Sequence, residues 1–114
     1  MVLSAGAHGA LGWPGLATAL HEVNAPPDLV TSLAIGWYLG MAAMLAFGLI
    51  VFVAGRRLWQ GDHTAATYVW PIAAVYLLFG LGALFATAFN PFFMLFVGTG
   101  VLTGLPLIGL SRAS

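Results

Sequence analysis

The chain has 114 residues, 61% of them apolar and only 5% charged, with Arg56, Arg57 and Arg112 balanced by Glu22, Asp28 and Asp62. So little polar surface excludes a soluble domain, and residues 1–114 are read as one integral membrane domain whose partners meet it in or at the bilayer. Zero net charge excludes a nucleic-acid surface and a polybasic stretch for anionic lipid, and the lack of cysteine excludes disulfides, thiolate metal sites and cysteine nucleophiles.

The N-terminal twenty residues end on a small-residue triplet, Ala17-Thr18-Ala19, of the kind found at signal-peptide cleavage sites. No Lys or Arg precedes the apolar stretch, so the segment is expected to belong to the mature chain. From Pro14 to Val23, Leu16, Leu20 and Val23 fall on one helical stripe, with Thr18, His21 and Glu22 off it. The pattern predicts an interfacial helix over residues 14–23, started by Pro14 and ended by Asn24-Ala25-Pro26-Pro27. A fourth crossing from about Val2 to Leu20 is the alternative. His8, Pro14 and four glycines weaken it, since they leave the stretch only moderately apolar.

Between Leu29 and Leu110 the formally charged residues are Arg56, Arg57 and Asp62, bunched in one polar break. A first span is predicted over residues 29–54, with Asp28 as its N-cap and Gly55-Arg56-Arg57 as its end. At a rise of about 1.5 Å per residue it reaches roughly 39 Å, more than the roughly 30 Å hydrocarbon core, so it should tilt or protrude. The second span, residues 67–89, carries Pro71 near its start, where a missing N–H is tolerated. Asn90-Pro91 is a tight junction in which Asn90 can cap and Pro91 open the third span, residues 91–110. Pro106 should kink or end that helix about one turn before its end.

Two crossings separate the Arg56-Arg57 break from Arg112, so three spans put all three arginines on one side. By the positive-inside rule that side is the cytoplasm, which receives loop 55–66 and the C-terminus and leaves the N-terminal segment outside. The Ala, Gly, Leu and Val bias is that of a high-GC bacterial chain, so the expected location is the bacterial inner membrane. Trp37, Tyr38, Trp59, Tyr68, Trp70, Phe89, Phe92 and Phe93 gather near the span ends, as amphipathic rings do at lipid headgroups.

Within the spans the small residues form packing candidates. Gly36 and Gly40 make one GxxxG pair, Gly100 and Gly104 another, and Gly82 with Ala86 a small-xxx-small pair. Leu45-Ala46-Phe47-Gly48-Leu49 echoes Leu77-Leu78-Phe79-Gly80-Leu81, a match that apolar composition alone accounts for. Uncharged polar residues that would line a pathway are Tyr38, Tyr76, Thr87, Asn90, Thr99 and Thr103, although threonines in apolar helices usually bond their own preceding carbonyl.

No ionisable carboxylate, lysine, arginine or histidine lies within a span, which argues against ion-coupled transport and a haem or pigment held by a buried imidazole. His8, His21, Glu22 and Asp28 could form an outer-surface polar cluster, but their spacing matches no metal site, and no metal is expected. No catalytic residue is identified. Asp62-His63 is an acid beside a base, yet neighbours on a helix point apart, and capping by Asp62 or Thr64 is the simpler role.

These features make the chain an all-α membrane protein that acts by association, as a small accessory or structural subunit of a larger assembly packed on partner helices or lipid, with no nucleic acid. The runner-up is a homo-oligomeric channel or carrier for a neutral or apolar solute, assembled through the GxxxG faces. A lipid- or quinone-modifying enzyme using His21 and Glu22 is third. Bound lipid is the expected companion, and no cofactor is identifiable.

Overall fold

The computed structural model describes residues 1–111, the side chains of Leu110 and Ser111 excepted. Arg112, on which part of the orientation argument rests, lies outside the described residues. The protein is all-helical: α1 (Val2–Ala7), a π-helical segment (His8–Gly12), α2 (Trp13–Glu22), α3 (Pro27–Trp59), a 3-10 turn (His63–Ala65), α4 (Ala66–Ala86), a second 3-10 turn (Pro91–Phe93) and α5 (Met94–Ser111). Three stretches, Pro27–Trp59, His63–Ala86 and Pro91–Gly109, are long and apolar enough to cross a bilayer. Helices suit this role because each backbone N–H and C=O finds its partner within its own segment, without water. With the N-terminal helix, these spans make the chain an integral membrane protein.

Two compact units divide the chain, one up to Leu49 and one from Ile50 onward. In the first, helical structure begins at Val2, twelve residues before Pro14, and continues through the π-helical segment to Glu22. Pro14 has no N–H to offer the carbonyl of Ala10, and the widened π turn directly precedes it. This helical rod lies antiparallel along α3: Val2 meets Gly48, His8 meets Gly40, Gly9 meets Met41 and Gly12 meets Trp37. The rod ends in a Schellman motif, in which Ala25 N–H donates to Leu20 O at 2.9 Å and Asn24 N–H to His21 O at 3.0 Å, with Asn24 in the left-handed region at φ 52°.

Helix α3 is 33 residues long, hence about 50 Å, and overruns the predicted span at both ends. It starts at Pro27, so Asp28 lies inside its first turn, where a carboxylate complements the helix dipole, as Arg56 and Arg57 do in the last turn. Gly55 does not end it, because a single glycine in a long helix costs only about 1 kcal/mol. The end comes at Gly61, whose φ of +91° forms a second Schellman closure with Gly61 N–H on Leu58 O and Asp62 N–H on Arg57 O.

The second unit is built on the antiparallel pair α4 and α5. Val69 and Leu107 meet Ala54 and Ala65 in an apolar cluster, with Val51, Leu58 and Ala66 against it. Pro71 sits in the second turn of α4 and does not interrupt it. Helix α4 stops at Ala86 rather than Phe89, because Ala88 and Phe89 both take left-handed conformations, φ 52° and 64°, and Phe89 N–H closes on Leu84 O at 2.7 Å. Asn90 caps the turn that follows, its Oδ1 accepting from Phe92 N–H at 3.0 Å. Pro106 does not end α5, which runs on to Ser111.

Candidate functional site

At the α4/α5 seam two helices approach closely. Gly80 and Gly100 are both buried, and neither leaves room for a side chain. A methyl at Gly80 would lie 2.7 Å from the Val97 amide nitrogen, and one at Gly100 would lie 2.7 Å from Leu77 Cγ and 2.9 Å from the Leu77 nitrogen. Because the obstacles include backbone, they cannot swing aside, and the two helices touch main chain to main chain as small-residue faces allow. Gly104 is looser, since a methyl placed there would lie 3.4 Å from Ala73 Cβ. Of the small residues singled out in the sequence, Gly100 and Gly104 therefore face α4 within one chain, and Gly40 faces His8. Gly36 and Gly82 open onto free space, and Ala86 is exposed. The contact glycine of α4 is Gly80. Gly80 is not part of a four-residue small-residue pair with Ala86 or Gly82, and it stands seven residues after Ala73, which also faces α5.

Beside this seam the aromatic residues assemble around Phe96, which is 5% exposed. Its ring centroid lies 5.0 Å from Phe79, 6.0 Å from Tyr76, 6.1 Å from Phe92 and 6.2 Å from Phe93. Phe92 and Phe93 thus contact other rings as well as standing at a helix end, while Phe89 meets Phe85 at 5.3 Å. Edge-to-face pairs such as Phe79 with Phe96, at 67°, set the positive ring edge of one against the negative face of the other. Phe79 and Phe96 are not recognisable from sequence, because nothing in an apolar run marks which of its rings will meet.

The polar residues of the spans are mostly engaged with their own helices. Thr99 Oγ1 donates to Leu95 O, Thr103 Oγ1 to Thr99 O and Thr87 Oγ1 to Ala83 O, each at 2.7 Å. Thr99 and Thr103 flank the seam half-buried, Tyr76 lies within the aromatic cluster, and Asn90 is used as a cap. Tyr38 belongs to the first unit, where its ring centroid is 6.0 Å from Trp13.

That first unit holds the one histidine with a close partner ring among the described residues. His8 stacks on Trp37 with centroids 4.1 Å apart and planes within 4°, and Trp37 Nε1–H donates to the His8 carbonyl at 2.9 Å. Gly12 makes room for the Trp37 ring. His8 is therefore separated from His21 by thirteen residues of continuous helix, about 20 Å, and does not join His21, Glu22 and Asp28. Among the described residues no three His, Asp or Glu side chains converge as a metal site.

In the polar break Asp62 is the cap of the 3-10 turn. Its Oδ1 accepts from Thr64 N–H at 3.1 Å and from the Thr64 hydroxyl, and its Oδ2 lies 3.1 Å from Arg57 Nε. The Thr64 hydroxyl, followed by the Arg57 guanidinium, holds this carboxyl below the usual carboxylate range against the opposing effect of desolvation. His63 is part of the turn and exposed.

Two curated proteins resemble the chain. A fluoride-specific ion channel, FluC 1, of Listeria innocua is 36% identical over 76 residues, and the FluC 1 channel of Listeria monocytogenes is 34% identical over 76 residues. In both cases the aligned stretch covers 67% of this chain and 60% of the relative's length. No protein-family model and no solved structure matches.

Proposed function

We propose that the chain is a subunit of a channel that passes fluoride through the membrane, assembled from copies of itself. The observation that carries this reading is the 76-residue similarity to two proteins named as fluoride-specific ion channels. The accessory-subunit reading, first in order on sequence alone, gains no comparable support.

The physical chemistry agrees with passive conduction. Residues 29–54, 67–89 and 91–110 hold no carboxylate, lysine or histidine to bind and release a coupling proton or cation at depth, and in the N-terminal rod the mid-helix histidine, His8, is stacked on Trp37. Sequence reasoning favours a neutral solute because it finds no fixed cation. A small anion, however, can be met by O–H and N–H donors that carry no net charge. Tyr38, Tyr76, Thr99 and Thr103 are the candidate donors. For each threonine, turning toward an anion means giving up a bond to its own helix worth about 0.5–1.5 kcal/mol.

A conduit cannot run down the α4/α5 seam, where Gly80 and Gly100 bring backbones into contact. We place it between copies, with the open faces at Gly36 and Gly82 available for that association. We further read the N-terminal rod as a fourth crossing. Its 21 residues measure about 31 Å and run antiparallel to α3, a length and direction that suit a transmembrane hairpin. The N-terminus would then share the cytoplasmic side with Arg56 and Arg57.

Liposomes loaded with fluoride and containing the purified protein test the proposal. With a potassium ionophore to relieve the counter-charge, an ion-selective electrode should record fluoride release well above that from protein-free vesicles, while chloride-loaded vesicles retain their contents. Release at the protein-free rate would overturn it.

A further inference from the structure

The C-terminal flank of α3 carries a hollow of about 570 Å³ lined by Phe52, Arg56, Trp59 and Gln60. It is open to its surroundings and walled by the last turns of α3 and Gln60 alone. These residues follow at steps of four, three and one, which is one face of the helix. Arg57, the next residue after Arg56, points about 100° away around the helix. The two arginines also differ in charge balance. Arg57 is neutralised by Asp62 at 3.1 Å, and among the described residues that is the ion pair, so Arg56 has no carboxylate partner. Nor is its guanidinium needed to close its own helix, whose last carbonyls are taken by Gln60, Gly61 and Asp62 N–H groups.

We propose that this hollow binds the phosphate of an anionic phospholipid. The order of residues along α3 matches the order of groups along such a lipid. Arg56 lies just past the uncharged run of the span, at headgroup level, and presents a fork of N–H donors that fits phosphate oxygens. Gln60, one turn further out, adds an amide donor. Trp59 is 92% exposed, an amphipathic ring in the interfacial zone where indoles prefer to lie. Phe52, one turn toward the membrane centre, is exposed against the position of an acyl chain. One uncompensated cation matches one phosphodiester charge. The site is therefore a single headgroup site and does not depend on the polybasic stretch that the sequence lacks. It is independent of the solute the channel passes.

The test uses the full chain reconstituted in phosphatidylcholine vesicles containing either brominated phosphatidylglycerol or, at the same mole fraction, brominated phosphatidylcholine. The Trp59 fluorescence is the difference between the unaltered protein and its Trp59→Phe variant, and bromine quenches it on contact. Quenching by the anionic lipid should be favoured about fivefold, the preference expected for one exposed arginine near an anionic surface, and should weaken with added salt. Arg56→Gln should make the two lipids equal, whereas Arg57→Gln should keep the preference. Equal quenching in the unaltered protein would overturn the proposal, and so would loss of the preference in Arg57→Gln to the same degree as in Arg56→Gln. Soluble inorganic phosphate, compared with chloride at equal ionic strength, should leave the quenching unchanged. Release of the lipid by phosphate would mean that the hollow takes free anions and would likewise overturn it.

Discussion

The N-terminal hairpin and the α4/α5 hairpin are both antiparallel, yet they are closed in opposite ways. In the first, glycines on one helix receive large side chains from the other: Gly12 takes the Trp37 ring and Gly9 the Met41 thioether. In the second, Gly80 and Gly100 receive the neighbouring backbone itself. The echoed segments Leu45–Leu49 and Leu77–Leu81 each contribute a contact glycine, with a valine methyl 3.1 Å from a methyl placed at Gly48 and 2.8 Å from one at Gly80. A seam of side chains can adjust by rotamer changes, while a seam of main chain cannot. Where lipid removes any hydrophobic drive for helices to pair, the main-chain seam depends wholly on close fit.

The largest effect is expected from breaking the main-chain seam. Gly100→Leu must displace the Leu77 and Ala73 backbone and should destabilise the chain by about 3 kcal/mol or more, seen as an early loss of helical signal on titration with a denaturing detergent. Gly82→Leu, with open space around it, should leave the same curve unchanged in the isolated subunit. Equal curves for the two variants would remove the distinction between seam glycine and free glycine.

Trp37→Phe examines the side-chain seam. It deletes the bond from the indole N–H to the His8 carbonyl and weakens the stack on the imidazole, together about 1–2 kcal/mol. The loss should be smaller than for Gly100→Leu and measurable in the same titration. A larger loss would mean that the aromatic seam, not the glycine seam, holds the fold.

The turns of the two hairpins also differ. The first hairpin turns on Asn24, which tolerates the left-handed region, while the second turns on Ala88, which does not. Ala88→Gly relieves that strain at the cost of a more flexible unfolded chain, and a net gain of about 0.5–1 kcal/mol is expected. No gain would mean that Phe89, also left-handed, and not Ala88 sets the strain of this turn.

The helix ends show where sequence reading succeeds and where it stops. Asn24 is a residue suited to positive φ, and the turn after Glu22 follows from it, whereas the span expected to end at Gly55-Arg56-Arg57 runs on to Trp59 and turns at Gly61. Ala88 carries no such mark, so hydropathy alone places the end of α4 three residues late. The same holds for the seam. Gly100 and Gly104 are visible as a GxxxG pair, but Gly80 against Gly82 is a question of register between two helices, and the composition of either helix alone is indifferent to it. His8 is a further case: nothing around it in sequence predicts a ring twenty-nine residues away.

Sequence alone determined that this is a helical membrane protein with three strongly apolar spans, because charge and hydropathy act residue by residue through the cost of leaving water. It also determined that residues 29–54, 67–89 and 91–110 carry no ionisable carboxylate, lysine, arginine or histidine, since an absent residue type needs no geometry to be read. Tertiary structure decided which glycines are contacts, which rings meet at Phe96, that His8 stacks on Trp37, and that Arg56 rather than Arg57 is left uncompensated. Each of these depends on which face of a helix turns toward which neighbour. That choice is made by the fit of two surfaces, and neither segment encodes it without the other.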